Sequence, residues 1–109
     1  MNDRVLIKDA ARRDMMKLAG FIALDSVENA ARFLRRSREA IEWLATTPRA
    51  GIPLRSRLPR LAGVGRWPIP GHRHYLVIYR EIEGGIEVAR VFHGASNWRD
   101  RLRRDSRVE

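Results

Sequence analysis

The chain has no cysteine, which removes disulfides and thiolate chemistry from consideration. No apolar run approaches the ~20 residues that a membrane span needs. The start, Met1-Asn2-Asp3-Arg4, lacks the charged-then-apolar layout of a secretory signal, so a cytoplasmic location is the expectation. There is no internal repeat, low-complexity tract or linker, and no P-loop, GxGxxG or nucleophile elbow. The Gly63-x-Gly65 pair precedes a strand-like run rather than a helix and is no dinucleotide loop. Lysine is nearly missing too. Of 22 basic residues only Lys8 and Lys17 are not arginine, against 13 acidic residues and a net charge of +9. Arginine's planar fork matches carboxylates and phosphates, which points to an acidic protein partner or nucleic acid. At 109 residues, 44% of them hydrophobic, the composition is that of one globular domain spanning 1–109.

The dominant pattern is the stretch from Tyr75 to Gly94, two runs rich in β-branched and aromatic residues around Gly84-Gly85. With those glycines as a two-residue turn, Val77 faces Phe92 and Leu76 faces His93. Alternation then puts Tyr75, Val77, Tyr79, Val88, Arg90 and Phe92 on one face, and Leu76, Ile78, Arg80, Ile82, Ala89, Val91 and His93 on the other. Both faces are mostly apolar. The rest of the chain suffices to cover one of them, so the second is expected to await a partner. An arginine beneath the chain's own helices requires a buried carboxylate; Arg80 is assigned to the partner side.

Upstream, Val5-Leu6-Ile7 reads as an edge strand. Ala11, Met15, Leu18, Ala19 and Ile22 form one helical stripe. Asp25-Ser26-Val27-Glu28 reads as a capping box with Asp25 at the N-cap. A second helix then runs to about Thr46, with Val27, Ala30, Ala31, Leu34, Ile41, Leu44 and Ala45 as its apolar face, until Pro48 ends it. Arg35–Glu39 and Arg38–Glu42 stand at i, i+4 spacing on its wet side. The segment 48–59 is a proline-rich loop, Leu61 to Ile69 a strand, and Ser96 or Asn97 caps a short helix through Leu102. The residues from Arg103 to Arg107 read as a fraying tail. The fold class is therefore α+β: an N-terminal strand and an antiparallel helix hairpin packed on one face of a three- to four-stranded, mainly antiparallel sheet.

Order and motifs together resemble a known family. The order β-α-α-β-β-β is joined by Pro48-Arg49-Ala50-Gly51, Arg66-Trp67-Pro68-Ile69-Pro70-Gly71, Tyr75-Leu76-Val77-Ile78-Tyr79-Arg80, Gly85-Ile86-Glu87-Val88 and Arg90-Val91-Phe92-His93-Gly94. This set resembles the RelE/ParE superfamily of type II toxin–antitoxin toxins, in its ParE branch, from Val5 to about Arg99. The resemblance implies a plasmid-stabilisation type of toxin, neutralised by a ParD-like antitoxin with an acidic C-terminal segment. It implies DNA gyrase as the target, inhibited by binding without catalysis and without a cofactor. The RelE branch implies instead a metal-independent endoribonuclease cutting mRNA on the ribosome. Against that, Leu76 and Ser96 stand where the nuclease branch has catalytic arginines, and no tyrosine follows Tyr79. Arg99-Asp100 also lies later than the family's usual Arg-Asp after His-Gly.

These considerations nominate Leu76, Ile78, Arg80, Val91 and His93 for antitoxin binding, and Arg66, Trp67 and Arg99 for target binding. A nuclease would have to work with Arg66, Arg73, His74, Arg80 and His93, the last as a general acid. A Ser96-His93-Asp100 set can be named, but nothing in the sequence orders it. No metal site is expected, since His72, His74 and His93 would have to converge.

Overall fold

In a computed structural model, which describes residues 4–104, one mixed sheet carries two helices on one face and a short third helix on the other. Strand β1 (Arg4–Ile7) leads into α1 (Asp9–Ala23) and α2 (Val27–Thr46). A two-residue strand β2 (Ile52–Pro53) precedes β3 (Val64–Ile69), β4 (His72–Ile82) and β5 (Gly85–His93), and α3 (Trp98–Arg104) closes the order. The strands lie in the order β1-β5-β4-β3-β2, with β1 parallel to β5 and every other pair antiparallel. The sheet therefore has five strands, one more than the sequence suggested. Among the described residues no helix is long and apolar enough to cross a membrane.

The helix stripes form as their spacing requires. Ala11 and Ala19 of α1 meet Phe33, Ile41, Leu44 and Ala45 of α2 above Val77, Tyr79, Ile86, Val88 and Val91 of the sheet. Two details of α2 differ. Ser26, not Asp25, is the N-cap, its Oγ accepting the Asn29 N–H at 3.0 Å, while Glu28 turns to Arg32 at 4.0 Å. The buried line runs through Ala30, Phe33, Ser37, Ala40, Ile41, Leu44 and Ala45, leaving Ala31 exposed and Val27 75% exposed. Ser37 can be buried because its hydroxyl donates to the Phe33 carbonyl at 2.7 Å, so no polar atom is stranded.

The central hairpin turns one residue earlier than expected. Gly84 alone takes a positive φ of 81°, and Gly85 already pairs with Ile82 inside the ladder. Gly85 is glycine for a different reason: a Cβ there would collide with the Arg4 backbone of the neighbouring β1. The register then shifts between Ile78 and Tyr79. Tyr79 faces Val88 but Ile78 faces Arg90, so Ala89 is an extra, bulged residue. That single insertion exchanges the faces of everything after it on β5. Val91 now shares a face with Val77, beneath the helices, and Phe92 shares one with Leu76 on the other side.

The second face is not left open. Ile78, Ala89, Phe92 and Val64 are buried there against Leu61, Trp98 and Leu102, with Leu54, Leu58 and Leu76 packed around them. The cover is made by α3 and the proline-punctuated segment 54–62. The expectation of an uncovered sheet face fails because Trp98 and Leu102, one turn apart on α3, and Leu61 supply enough apolar surface to close it. Leu102 is buried as the sequence allows and α3 continues to Arg104; residues 105–107 of the expected tail lie outside the described residues.

Candidate functional site

The nominated antitoxin-binding residues separate on folding. Ile78 is fully buried under α3 and the 54–62 segment, and Val91 is 1% exposed beneath α1 and α2. Neither can touch another chain in this arrangement, and they lie on opposite faces. Arg80 stays half-buried, but its Nε donates to Glu87 Oε1 at 3.1 Å directly across the ladder, so its charge is met within the chain. Leu76 is half-buried at the margin of the second apolar cluster. His93 sits half-buried at the end of β5.

Around His93 the geometry is well defined. Its ring meets the Tyr75 ring edge-on at 4.9 Å and stacks on His74 at 6.2 Å. Its Nδ1 accepts the Ala95 N–H at 3.0 Å, and its carbonyl accepts the Ser96 hydroxyl at 2.6 Å. The Nδ1 position is thus occupied by the Ala95 backbone N–H, which fixes the ring. Ser96 donates to the His93 carbonyl rather than to its ring, so Ser96, His93 and Asp100 form no nucleophilic relay. Asp100 instead takes Arg103 at 2.7 Å and Arg104 at 3.1 Å.

The five residues a nuclease would need are spread out. Arg73 and His74 are exposed near the start of β4, while Arg80 lies six positions along the same strand, about 20 Å away at ~3.3 Å per residue. Arg66 faces Ile78 across the β3–β4 ladder. One scissile phosphate cannot touch both ends of that row. His74 and His93 do come together, with Tyr75 beside them. His72 points the other way, into the helix layer, its Nε2 at 3.2 Å from Asn29 Oδ1 and its ring against Phe33. Burial lowers its pKa from the ordinary 6.5, with Arg32 and Arg36 lowering it further. Among the described residues no three histidine or carboxylate side chains converge to hold a metal ion.

The nominated target residues also part company. Trp67 stacks on Trp43 of α2 at 5.2 Å, half-buried on the helix side. Arg99 is exposed on α3, its guanidinium 4.5 Å over the Trp98 ring.

Several consequential residues escape a reading of the sequence. Asp14 accepts Arg90 Nε at 2.7 Å, Arg90 Nη2 at 2.9 Å and the Val91 N–H at 3.0 Å. The expectation of a carboxylate for a buried Arg90 holds, but not beneath the helices: the bulge at Ala89 puts Arg90 opposite Ile78 on the Phe92 face, the same face as Arg80, and Asp14, from the wet side of α1, meets it where β1 has ended. Tyr79 is a second case. Its hydroxyl donates to the Pro48 carbonyl at 2.8 Å and accepts the Gly51 N–H at 2.8 Å, tying β4 to the Pro-x-x-Gly loop. Burial raises its pKa, opposed by the Gly51 hydrogen bond and reinforced by Glu81. That loop was visible as a motif, but nothing in its spacing named a tyrosine 28 positions later.

Comparison with known proteins agrees with the architecture. No curated protein matches closely enough to count as a relative. A family model described as the ParE toxin of the type II toxin–antitoxin system, parDE, matches residues 5–98, from β1 through the start of α3. By that match over most of its length, the chain belongs to the ParE toxin family of type II toxin–antitoxin systems.

Proposed function

We propose that this protein is a cytoplasmic toxin that binds and inhibits DNA gyrase, held inactive by a ParD-like antitoxin with an acidic C-terminal segment. The observation that carries this reading is the ParE family match over residues 5–98. Two features agree with it. Leu76 and Ser96 bring no charge to a phosphate, and Arg73, near the start of β4, lies far along the sheet from Arg66 and Arg80. A net charge of +9, almost all arginine, suits an acidic antitoxin segment.

Of the residues nominated for the antitoxin, Leu76, Arg80 and His93 keep accessible surface and are the proposed contacts; Ile78 and Val91 serve the core. For gyrase the proposed contacts are Arg66, Trp67 and Arg99. The test is a supercoiling assay: micromolar purified toxin abolishes supercoiling by gyrase, and pre-mixed antitoxin restores it. Fully active gyrase under those conditions refutes the proposal.

One local feature favours a second reading, a ribosome-dependent mRNA interferase. His74 and His93 stack beside Tyr75 with Arg73 adjacent, a grouping able to move a proton near RNA. Primer extension on translated mRNA decides it, since codon-dependent cleavage supports this reading and its absence removes it.

A further inference from the structure

Beside the covered face of the sheet, the 54–62 segment and α3 leave between them a hollow of about 490 Å³. Its floor is apolar, made of Leu54, Leu58, Leu61 and Leu102. Its rim is basic: Arg55, Arg57, Arg99 and Arg103, all exposed. Arg103 is already held by Asp100, but among the described residues no carboxylate lies within ion-pair distance of Arg55, Arg57 or Arg99. Arg55 also has a φ of 57°, the one positive value among the described non-glycine residues. An arginine there occupies a backbone conformation that glycine would adopt more cheaply.

We propose that this hollow is a docking site for an acidic peptide segment carrying one large apolar side chain, supplied by the antitoxin. The supplier rests on the toxin–antitoxin reading above; the place and chemistry of the contact rest on the hollow itself. Charge complementarity selects an acidic occupant. Arg55, Arg57 and Arg99 meet no carboxylate among the described residues, and carboxylates on an incoming chain form charge-assisted hydrogen bonds with them. The floor selects a peptide over a nucleic acid. Single strands are held by stacking bases on free aromatic faces. The aromatic here, Trp98, is 6% exposed and already lies under Arg99, and Phe92 behind it is 2% exposed beneath Arg90 and Arg101. Leucine side chains offer instead a socket for an aliphatic or aromatic anchor, the arrangement in which a buried apolar residue supplies affinity and a charged rim supplies orientation.

The site lies on the same face as Leu76, at the margin of the same apolar cluster, so an antitoxin segment passing Leu76 runs on into the hollow. It needs no opening of the fold. In that respect it replaces the bare sheet face that the sequence suggested with a smaller socket, rimmed by charge, on the element that covers that face.

The probe is a short fluorescein-labelled peptide of alternating aspartate and glutamate with one central leucine, titrated by anisotropy into the full chain. Saturable binding is expected, weakened about tenfold (about 1.4 kcal/mol) by the double variant Arg57→Glu/Arg103→Glu. A similar loss is expected when the peptide's leucine becomes serine. Thermal melts of the double variant, and of Arg57→Gln/Arg103→Gln, establish that the fold persists, since both positions are exposed. Equal binding of the leucine-free peptide, tighter binding of oligo-dT, or no saturable peptide binding overturns the proposal. Gyrase inhibition by the same preparation without peptide is read in parallel. Inhibition with no peptide binding refutes the socket alone, whereas binding without inhibition refutes the gyrase reading alone.

Discussion

The carboxylate of Asp14 grips Arg90 fork-to-fork, at 2.7 and 2.9 Å, while also accepting the Val91 N–H. The pair joins α1 to the far half of β5, where β1 no longer covers the strand edge. Both side chains are nearly buried, at 9% and 12% exposure.

Breaking one half of such a pair strands the other. Asp14→Ala leaves the buried Arg90, on the Phe92 side of β5, without this carboxylate and orphans the Val91 N–H, so a loss of about 3–5 kcal/mol is expected. Asp14→Leu/Arg90→Met, which removes both charges, should recover much of that loss. Urea denaturation of the two variants against wild type measures the difference.

Tyr79 and Gly51 give a second, separable case. Tyr79→Phe removes the hydrogen bonds to Pro48 and Gly51 and should cost about 1–3 kcal/mol, because a part-buried N–H and C=O lose their partner together. Gly51→Ala should also destabilise, since its Cβ would fall 2.7 Å and 2.9 Å from two ring carbons of Tyr79. The phenylalanine variant removes the Tyr79 hydroxyl, the atom nearest that Cβ, but keeps those carbons, so it should rescue Gly51→Ala only in part. Thermal melts of the single and double variants check both statements.

His72 should make stability depend on pH. Its folded pKa lies below the ordinary 6.5 through burial, with Arg32 and Arg36 adding to the effect. Below pH 6.5 the unfolded chain therefore takes up a proton that the folded chain resists. The histidine's full contribution is present above pH 6.5 and is lost as pH falls from there towards the lower folded value. His72→Gln cannot titrate and should show a smaller drop in Tm between pH 7.5 and 5.5 than wild type, with the carboxylate background common to both.

The cover over the second face can be tested by removing it. Trp98 and Leu102 are 6% and 1% exposed against Ile78 and Phe92. Trp98→Ala/Leu102→Ala should expose that face, lower stability by several kcal/mol (about 2–5 per truncation), and increase binding of a hydrophobic dye. Unchanged dye binding would mean that α3 does not close the sheet.

Much of this architecture was written in periodicity. The stripe on α1, the end of α2 at Pro48 and the strand-turn-strand of β4 and β5 follow from spacing and turn chemistry. Three things do not. Two adjacent glycines do not reveal which is needed for its φ and which for the close approach of another strand; Gly84 is the first kind and Gly85 the second. The bulge at Ala89 has no local signature, yet it moves Val91 and Phe92 to opposite faces from those expected. Finally, Trp98 and Leu102 sit in a short arginine-rich segment whose role as a lid depends on tertiary placement alone. The nominated site suffered accordingly: Ile78 and Val91 passed into the core, while the basic rim around the 54–62 segment, visible only as punctuating arginines, gained a shape.

The most direct measurement is the topology of a reporter plasmid in bacterial cells in which this chain is induced without its antitoxin. If the protein acts on gyrase, growth arrest is accompanied by relaxed or cleaved plasmid while mRNA stays intact, and co-expressed antitoxin reverses both effects. Arrested growth with the plasmid still fully negatively supercoiled would contradict the account.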